Sequence, residues 1–316
     1  MAHNVSKRKS LPAWALVLVL GVPAWGVLVA AEWLTRVTTL IPSVIFVGSF
    51  LIPVAFLAWV FQRQDQTSRE REKLPTALSQ ARIVRAFAVA GLFGVAIAAV
   101  FETLVISGPP ALYYPAVAVI EDLIKLVILL LVALGLDYYL RRDGMVLGAA
   151  VGLGFAAFES AGYAFNTIVQ HQEVDLGVLL ETEIVRGLLS PFGHGLWTAL
   201  VGGAFFAAAA SAPSGRLRVT PGVVAWVLVA IALHTMWDLA APAAAAATQW
   251  LTGSPVSWPD VWSGRIPNAT ATQAHLDGFL DWVFLSICGV IGLVIVVRQW
   301  HRGRNDRPVT VARTTH

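Results

Sequence analysis

The sequence predicts an all-α, polytopic membrane protein with about eight transmembrane helices, and three observations lead there. Of its 316 residues, 57% are hydrophobic and only 13% charged, whereas a soluble domain carries roughly twice that charge. Mean hydropathy is +0.70. Apolar runs of about 20 residues, the length a helix needs to cross a ~30 Å hydrocarbon layer, recur along the chain. No period-two pattern of strand type competes with them.

Eight runs can be marked in order, roughly at 12–32, 41–61, 85–106, 113–136, 145–168, 184–210, 221–246 and 277–298. The first follows Lys7, Arg8 and Lys9, as a signal peptide would, but it is longer than a signal core and carries Pro12 and Pro23, so it reads as a membrane span. With eight spans, the basic clusters fall on one side: Lys7 to Lys9, Arg63 through "SREREK" to Arg85, Arg141 with Arg142, Arg216 with Arg218, and the tail 299–316. The positive-inside rule makes that side, and both termini, cytoplasmic. The other side receives Arg36, Arg186, Arg265, the acidic loop "HQEVDLGVLLETE" and a loop holding Trp250, Trp258 and Trp262, which read as an interfacial belt. Residues 62–82 read as a solvated linker, and residues 1–316 as one integral membrane domain.

Composition also excludes function classes. The net charge of +3 comes from short basic clusters between apolar runs, which is topology, so no nucleic-acid partner is expected. Cys288 is the only cysteine, so no intrachain disulfide or CxxC site exists. Arginine outnumbers lysine and alanine is abundant, a bias of GC-rich bacterial genomes that points to a bacterial plasma membrane.

Charged groups at membrane depth each cost at least ~2.5–3.5 kcal/mol on insertion scales, and this chain has many. With a rise of ~1.5 Å per residue, Glu121 lies ~12 Å, Glu159 ~14 Å, His194 ~15 Å, His234 ~18 Å and Asp238 ~12 Å from the outer end of its span. Four antiparallel helices therefore bring polar groups to one layer. Glu121 and Lys125 are spaced to pair on one helix face, and Asp122 gives the site a second carboxylate, suited to an acid–base pair. Asp238 stands one turn from His234, where it can receive an imidazole N–H. Gly144, Gly148 and Gly152 form a small-residue stripe that reads as a helix-packing surface, and Pro191, Gly193 and Gly195 loosen the helix around His194. Glu102, a turn from the outer surface with no aligned partner, reads as bonding a backbone group.

These residues resemble the PrsW family of intramembrane proteases. "IEDLIK" (Glu121, Asp122, Lys125), "GLGFAAFES" (Phe155, Glu159), the isolated His194 and "HTMWD" (His234, Trp237, Asp238) are similar, in order, to that family's Glu-Glu-x-x-Lys, Phe-x-x-x-Glu, single His and His-x-x-x-Asp motifs. The resemblance covers roughly residues 85–245, a four-motif catalytic core. Two residues depart from it: Asp122 where a Glu is usual, and Ser160 where Asn is common.

The resemblance implies a central catalytic helix bundle and a metalloprotease. Glu159, His194 and His234 would ligate a metal ion, zinc being best suited, with Glu121 as general base, Asp122 and Lys125 tuning it and Asp238 orienting His234. A metal-free glutamic mechanism stays open, because HExxH is absent. The implied substrate is a single-pass membrane protein such as an anti-sigma factor, cut near the outer leaflet. A proton-coupled transporter or channel, or an inactive scaffold, would also place carboxylates at this depth. A transporter, though, needs a polar path to both faces, and "LVILLLVALG" and "GVVAWVLVAIA" are apolar.

Overall fold

The computed structural model describes residues 11–69, 77–105, 107–171, 176–189, 192–304 and 306. Lys7 to Lys9, most of "SREREK", residues 172–175 of the acidic loop, Pro191 and most of the 299–316 tail lie outside the described residues. The described chain is all-helical. In order it forms α1 (Ala13–Thr35), a 3₁₀ turn (Thr38–Leu40), α2 (Ile41–Arg69), α3 (Gln80–Val89), a π turn (Ala90–Gly94), α4 (Val95–Glu102), α5 (Pro110–Ala133) and α6 (Arg141–His171). Then follow α7 (Leu176–Leu189), α8 (His194–Ala210), α9 (Pro221–Asp238), α10 (Ala240–Leu251), α11 (Trp258–Trp262) and α12 (Ala271–Arg302).

Six helical stretches among the described residues are long and apolar enough to cross a membrane: Ala13–Thr35, Thr38–Gln64, Gln80–Glu102, Arg141–Asn166, Pro221–Asp238 and Ala271–Arg302. The difference from eight has local causes. Helix α5 is 24 residues long and strongly apolar, but it carries three charged residues, Glu121, Asp122 and Lys125, near its middle. The run at 184–210 is not one helix, since α8 starts only at His194, behind Gly193 at φ −101°, ψ −127°. The run at 221–246 still supplies a span, Pro221–Asp238, but a shorter one than expected, since α10 begins at Ala240.

The chain divides into two compact units, 1–75 with 160–188 and 76–159 with 189–316. In the first, Ile41, Val44 and Ile45 of α2 pack with Ala161, Ala164 and Leu179. Trp25 buries its ring beside them and donates its indole N–H to the Val44 carbonyl at 3.0 Å. Ser160 accepts from Arg186 Nε at 3.3 Å, and the Arg186 guanidinium lies 4.0 Å from the Tyr163 ring centre.

The second unit packs α5, α8 and α9 together, with α12 against α8, α9 and α10. Close approach of α6 and α8 depends on the glycine stripe: a Cβ at Gly144, Gly148 or Gly152 would land on the carbonyl oxygen of Gly202, Thr198 or His194 respectively. Such contacts let two backbones touch where lipid gives no hydrophobic drive to association. Arg82 Nη1 donates to the carbonyls of Val132 and Leu134 at 2.6 and 2.7 Å, satisfying acceptors that the end of α5 leaves open. At the other end of α5, Tyr114 donates to the Trp262 carbonyl at 2.9 Å. Gln249 and Gln273 tie down the intervening loop through Ser257, Thr252 and Ser254, while Trp250 and Trp258 stay exposed. Cys288 is buried and its thiol donates to the Leu233 carbonyl at 3.2 Å.

Candidate active site

Helix α5 supplies the centre of the site. The i, i+4 and i, i+3 spacings bring Lys125 Nζ to 3.1 Å from both Glu121 Oε2 and Asp122 Oδ1. All three side chains are buried, Lys125 to 1% exposure, and the ammonium sits 4.4 Å from the Phe155 ring centre. A cation–π contact in a desolvated place adds to the ion pairs, which gives the phenylalanine of the second motif a physical role.

Helices α6 and α8 present His194. Gly152 lets the His194 backbone rest on α6, and Glu159, two turns further on the same face, meets His194 Nε2 at 2.9 Å. Lys125 Nζ lies 2.8 Å from His194 Nδ1. An ammonium can only donate, so Nδ1 is the acceptor and Nε2–H donates to Glu159.

Helix α9 presents His234. Asp238, expected to orient the ring, has its Oδ2 3.5 Å from Nε2, the nitrogen that also faces Glu121 Oε2 at 3.7 Å. The carboxylate behind the ring is Asp122, whose Oδ1 stands 3.3 Å from Nδ1. Its shorter side chain therefore meets both Lys125 and His234.

Glu121, His194 and His234 each offer one ligand atom within 4.8 Å of the others. Glu121 Oε2 lies 3.9 Å from His194 Nδ1 and 3.7 Å from His234 Nε2. Ligands at zinc distances around a tetrahedral ion stand about 3.4 Å apart, so Glu121 needs shifts of only a few tenths of an ångström toward each imidazole. To hold a metal the two imidazole nitrogens, within 4.8 Å of each other, would also draw together and the Lys125 ammonium would withdraw from Glu121 Oε2 and His194 Nδ1. The expected set had Glu159 in place of Glu121. In the structure Glu159 holds the far nitrogen of His194, and Glu121 stands between the imidazoles. The layer also sets several carboxylates against one ammonium, a surplus of acid that a divalent cation offsets.

Two residues here were not assigned to the site from sequence. Glu102, read there as bonding a backbone group, is the last residue of α4 and lies close enough to Glu121 for their carboxyl groups to interact. Trp197, fully buried, stacks on His234 with ring centres 4.6 Å apart and planes 26° apart, and meets His194 edge-on at 5.1 Å and 79°. Its position three residues after His194, on the same helix face, was the available signal.

An all-helical membrane protein that buries carboxylates, imidazoles and an ammonium against one another carries a polar site suited to acid–base or metal chemistry. Comparison with known families matches residues 79–261 to the PrsW family intramembrane metalloprotease, and the chain belongs to that family of intramembrane proteases. Searches of curated proteins and of solved structures give no match.

Proposed function

We propose that this intramembrane protease hydrolyses its substrate with water activated at Glu121, His194 and His234. The observation that carries this reading is the convergence of those three ligand atoms, each imidazole being approached at its other nitrogen by a carboxylate, Glu159 or Asp122. Such outer carboxylates fix ring orientation and raise ligand basicity. A divalent ion held there, zinc being best suited, would polarise the scissile carbonyl and acidify a bound water. Asp238 is the general base: its Oδ2 lies 3.5 Å from His234 Nε2 and its side chain is 22% exposed, so it borders both the ligand set and the open side. Lys125 balances the carboxylates, and its ammonium, 2.8 Å from His194 Nδ1, would release that nitrogen when the ion binds.

The close contacts of the Lys125 ammonium with Glu121, Asp122 and His194 favour a second reading. In it the cluster works without metal and Glu121 itself takes the proton from water.

The substrate proposed is a single-pass membrane protein, a regulator of anti-sigma type, cut within a bacterial plasma membrane with both enzyme termini cytoplasmic. Depth supports a cut inside the bilayer: Glu121 lies eleven residues, ~16 Å, into α5, about midway through a ~30 Å hydrocarbon layer. The test is cleavage of a single-pass reporter by purified full-length enzyme. Glu121→Gln abolishes cleavage under either reading, and retained activity overturns both. Chelation followed by zinc restores activity under the metal reading; full activity in metal-stripped enzyme leaves only the glutamic one.

A further inference from the structure

We infer that Trp197 is the positioning residue of this site, its indole setting the planes of both imidazoles at once. The inference rests on the proposed roles of His194 and His234. A histidine ring is held in position by its backbone and its hydrogen bonds, but rotation about its last side-chain torsion is soft. His194 has close polar contacts at both nitrogens. His234 is held less tightly: its nearest carboxylates stand at 3.3, 3.5 and 3.7 Å, and Nδ1 makes no well-aligned hydrogen bond among the described residues. Asp122 bears on one edge of the ring, and what fixes its tilt is a face. The Trp197 indole covers it in a stacked arrangement while meeting His194 edge-on, and the two imidazoles cross at 89° with centres 4.8 Å apart.

The indole is itself locked. It is fully buried, and Trp237, one turn after His234, closes on it edge-on at 5.9 Å. Trp197 and His194 share α8, and Trp237 and His234 share α9, so each helix contributes one imidazole and one indole to a single aromatic block. Small slides between α8 and α9 must then carry both imidazoles together. A leucine of similar burial would fill space without presenting a flat face, so ring orientation, rather than packing volume, is what Trp197 supplies.

The experiment compares Trp197→Phe and Trp197→Leu with wild type and Glu121→Gln, using full-length protein in nanodiscs. It records kcat and KM per folded molecule on a single-pass reporter and titrates each metal-stripped protein with Co(II), reading the affinity and the visible d–d band. Misplacing reacting groups by about an ångström costs roughly 100-fold. Trp197→Leu is therefore expected to lower kcat about 100-fold with KM unchanged, to weaken Co(II) binding and to shift its band, while Trp197→Phe, which keeps a flat face, stays within about 10-fold of wild type. If Trp197→Leu does not fold, Trp197→Met, which fills space without a flat face, takes its place: a reduced kcat with a shifted band supports the inference, and a wild-type kcat and band overturn it. Equal impairment of Leu and Phe, or a loss confined to KM or to the folded fraction, overturns it too. Wild type that binds no Co(II) refutes the metal reading alone, because the Leu–Phe contrast in kcat still decides the role of Trp197. Retained activity in Glu121→Gln refutes the proposed chemistry instead.

Discussion

Gly152→Ala tests whether the closeness of α6 and α8 is what places His194. A methyl group there would land on the His194 carbonyl, with the Gly195 nitrogen also inside 3.0 Å, a distance real Cβ atoms essentially never show. The obstacle is backbone, so no rotamer change relieves it, and the helices must part locally by about an ångström. Overpacking of this kind costs typically 1–3 kcal/mol, partly offset by about 1 kcal/mol from replacing a helical glycine with alanine. The effect on catalysis is larger, since an ångström of misplacement is worth about 100-fold in rate. Gly144→Ala is the control. It creates a similar clash with the Gly202 carbonyl and the Phe206 ring, on the same helix pair but ~12 Å along the axis from His194. Thermal unfolding and kcat per folded molecule should show both variants similarly destabilised, with kcat down about 100-fold only in Gly152→Ala. Wild-type kcat in Gly152→Ala, or an equal loss in Gly144→Ala, would refute the argument that the glycine contact sets the site.

Asp122 and Asp238 make different predictions. Asp122→Asn removes the carboxylate behind His234 Nδ1 and should weaken Co(II) affinity of the purified enzyme about 10–100-fold, whereas Asp238→Asn should leave that affinity unchanged and lower kcat by about 10²–10⁴, the usual worth of a general base; the reverse pattern refutes the assignment. Gly292→Ser offers an acceptor to the Trp197 indole N–H, which has no hydrogen-bond partner among the described residues and lies 4.0 Å from where a Cβ at Gly292 would stand. It should raise stability in a denaturant titration by about 1 kcal/mol, and an unchanged or lowered midpoint counts against that geometry.

The class of fold was legible because bilayer thickness leaves a long-range mark, a run of apolar residues of fixed length. Where a helix stops inside such a run leaves almost none. Gly193 is one glycine in an apolar stretch, and nothing in "TMWDLAAP" marks the end of α9 at Asp238. Counting each run as one rod therefore joined residues 184–189 to α8 and α9 to α10. The site was legible for a related reason. Its residues are costly at that depth, so each stood out against the apolar background. Their pairings were not, because spacing along one helix says nothing of the helix opposite. The i, i+4 rule found Lys125 beside Glu121, and it suggested Asp238 for His234, yet the carboxylate on Nδ1 comes from α5. Trp197 was invisible for the opposite reason, as an aromatic residue in an apolar helix is cheap and ordinary.

The helix breaks and the polar layer share a cause. A backbone interrupted within a bilayer exposes N–H and C=O groups that lipid cannot satisfy, so breaks persist only where protein or water-filled polar surroundings receive them. His194 is the first residue of α8 and Asp238 the last of α9, which puts the two interruptions beside the residues that need water. A hydrolase inside a membrane must admit water to one depth and exclude it elsewhere. Continuous helices would seal that depth. Starting α8 at the cluster leaves its first backbone N–H groups there for water to bind, while the apolar remainder of α8 and α9 keeps water from the rest of each helix.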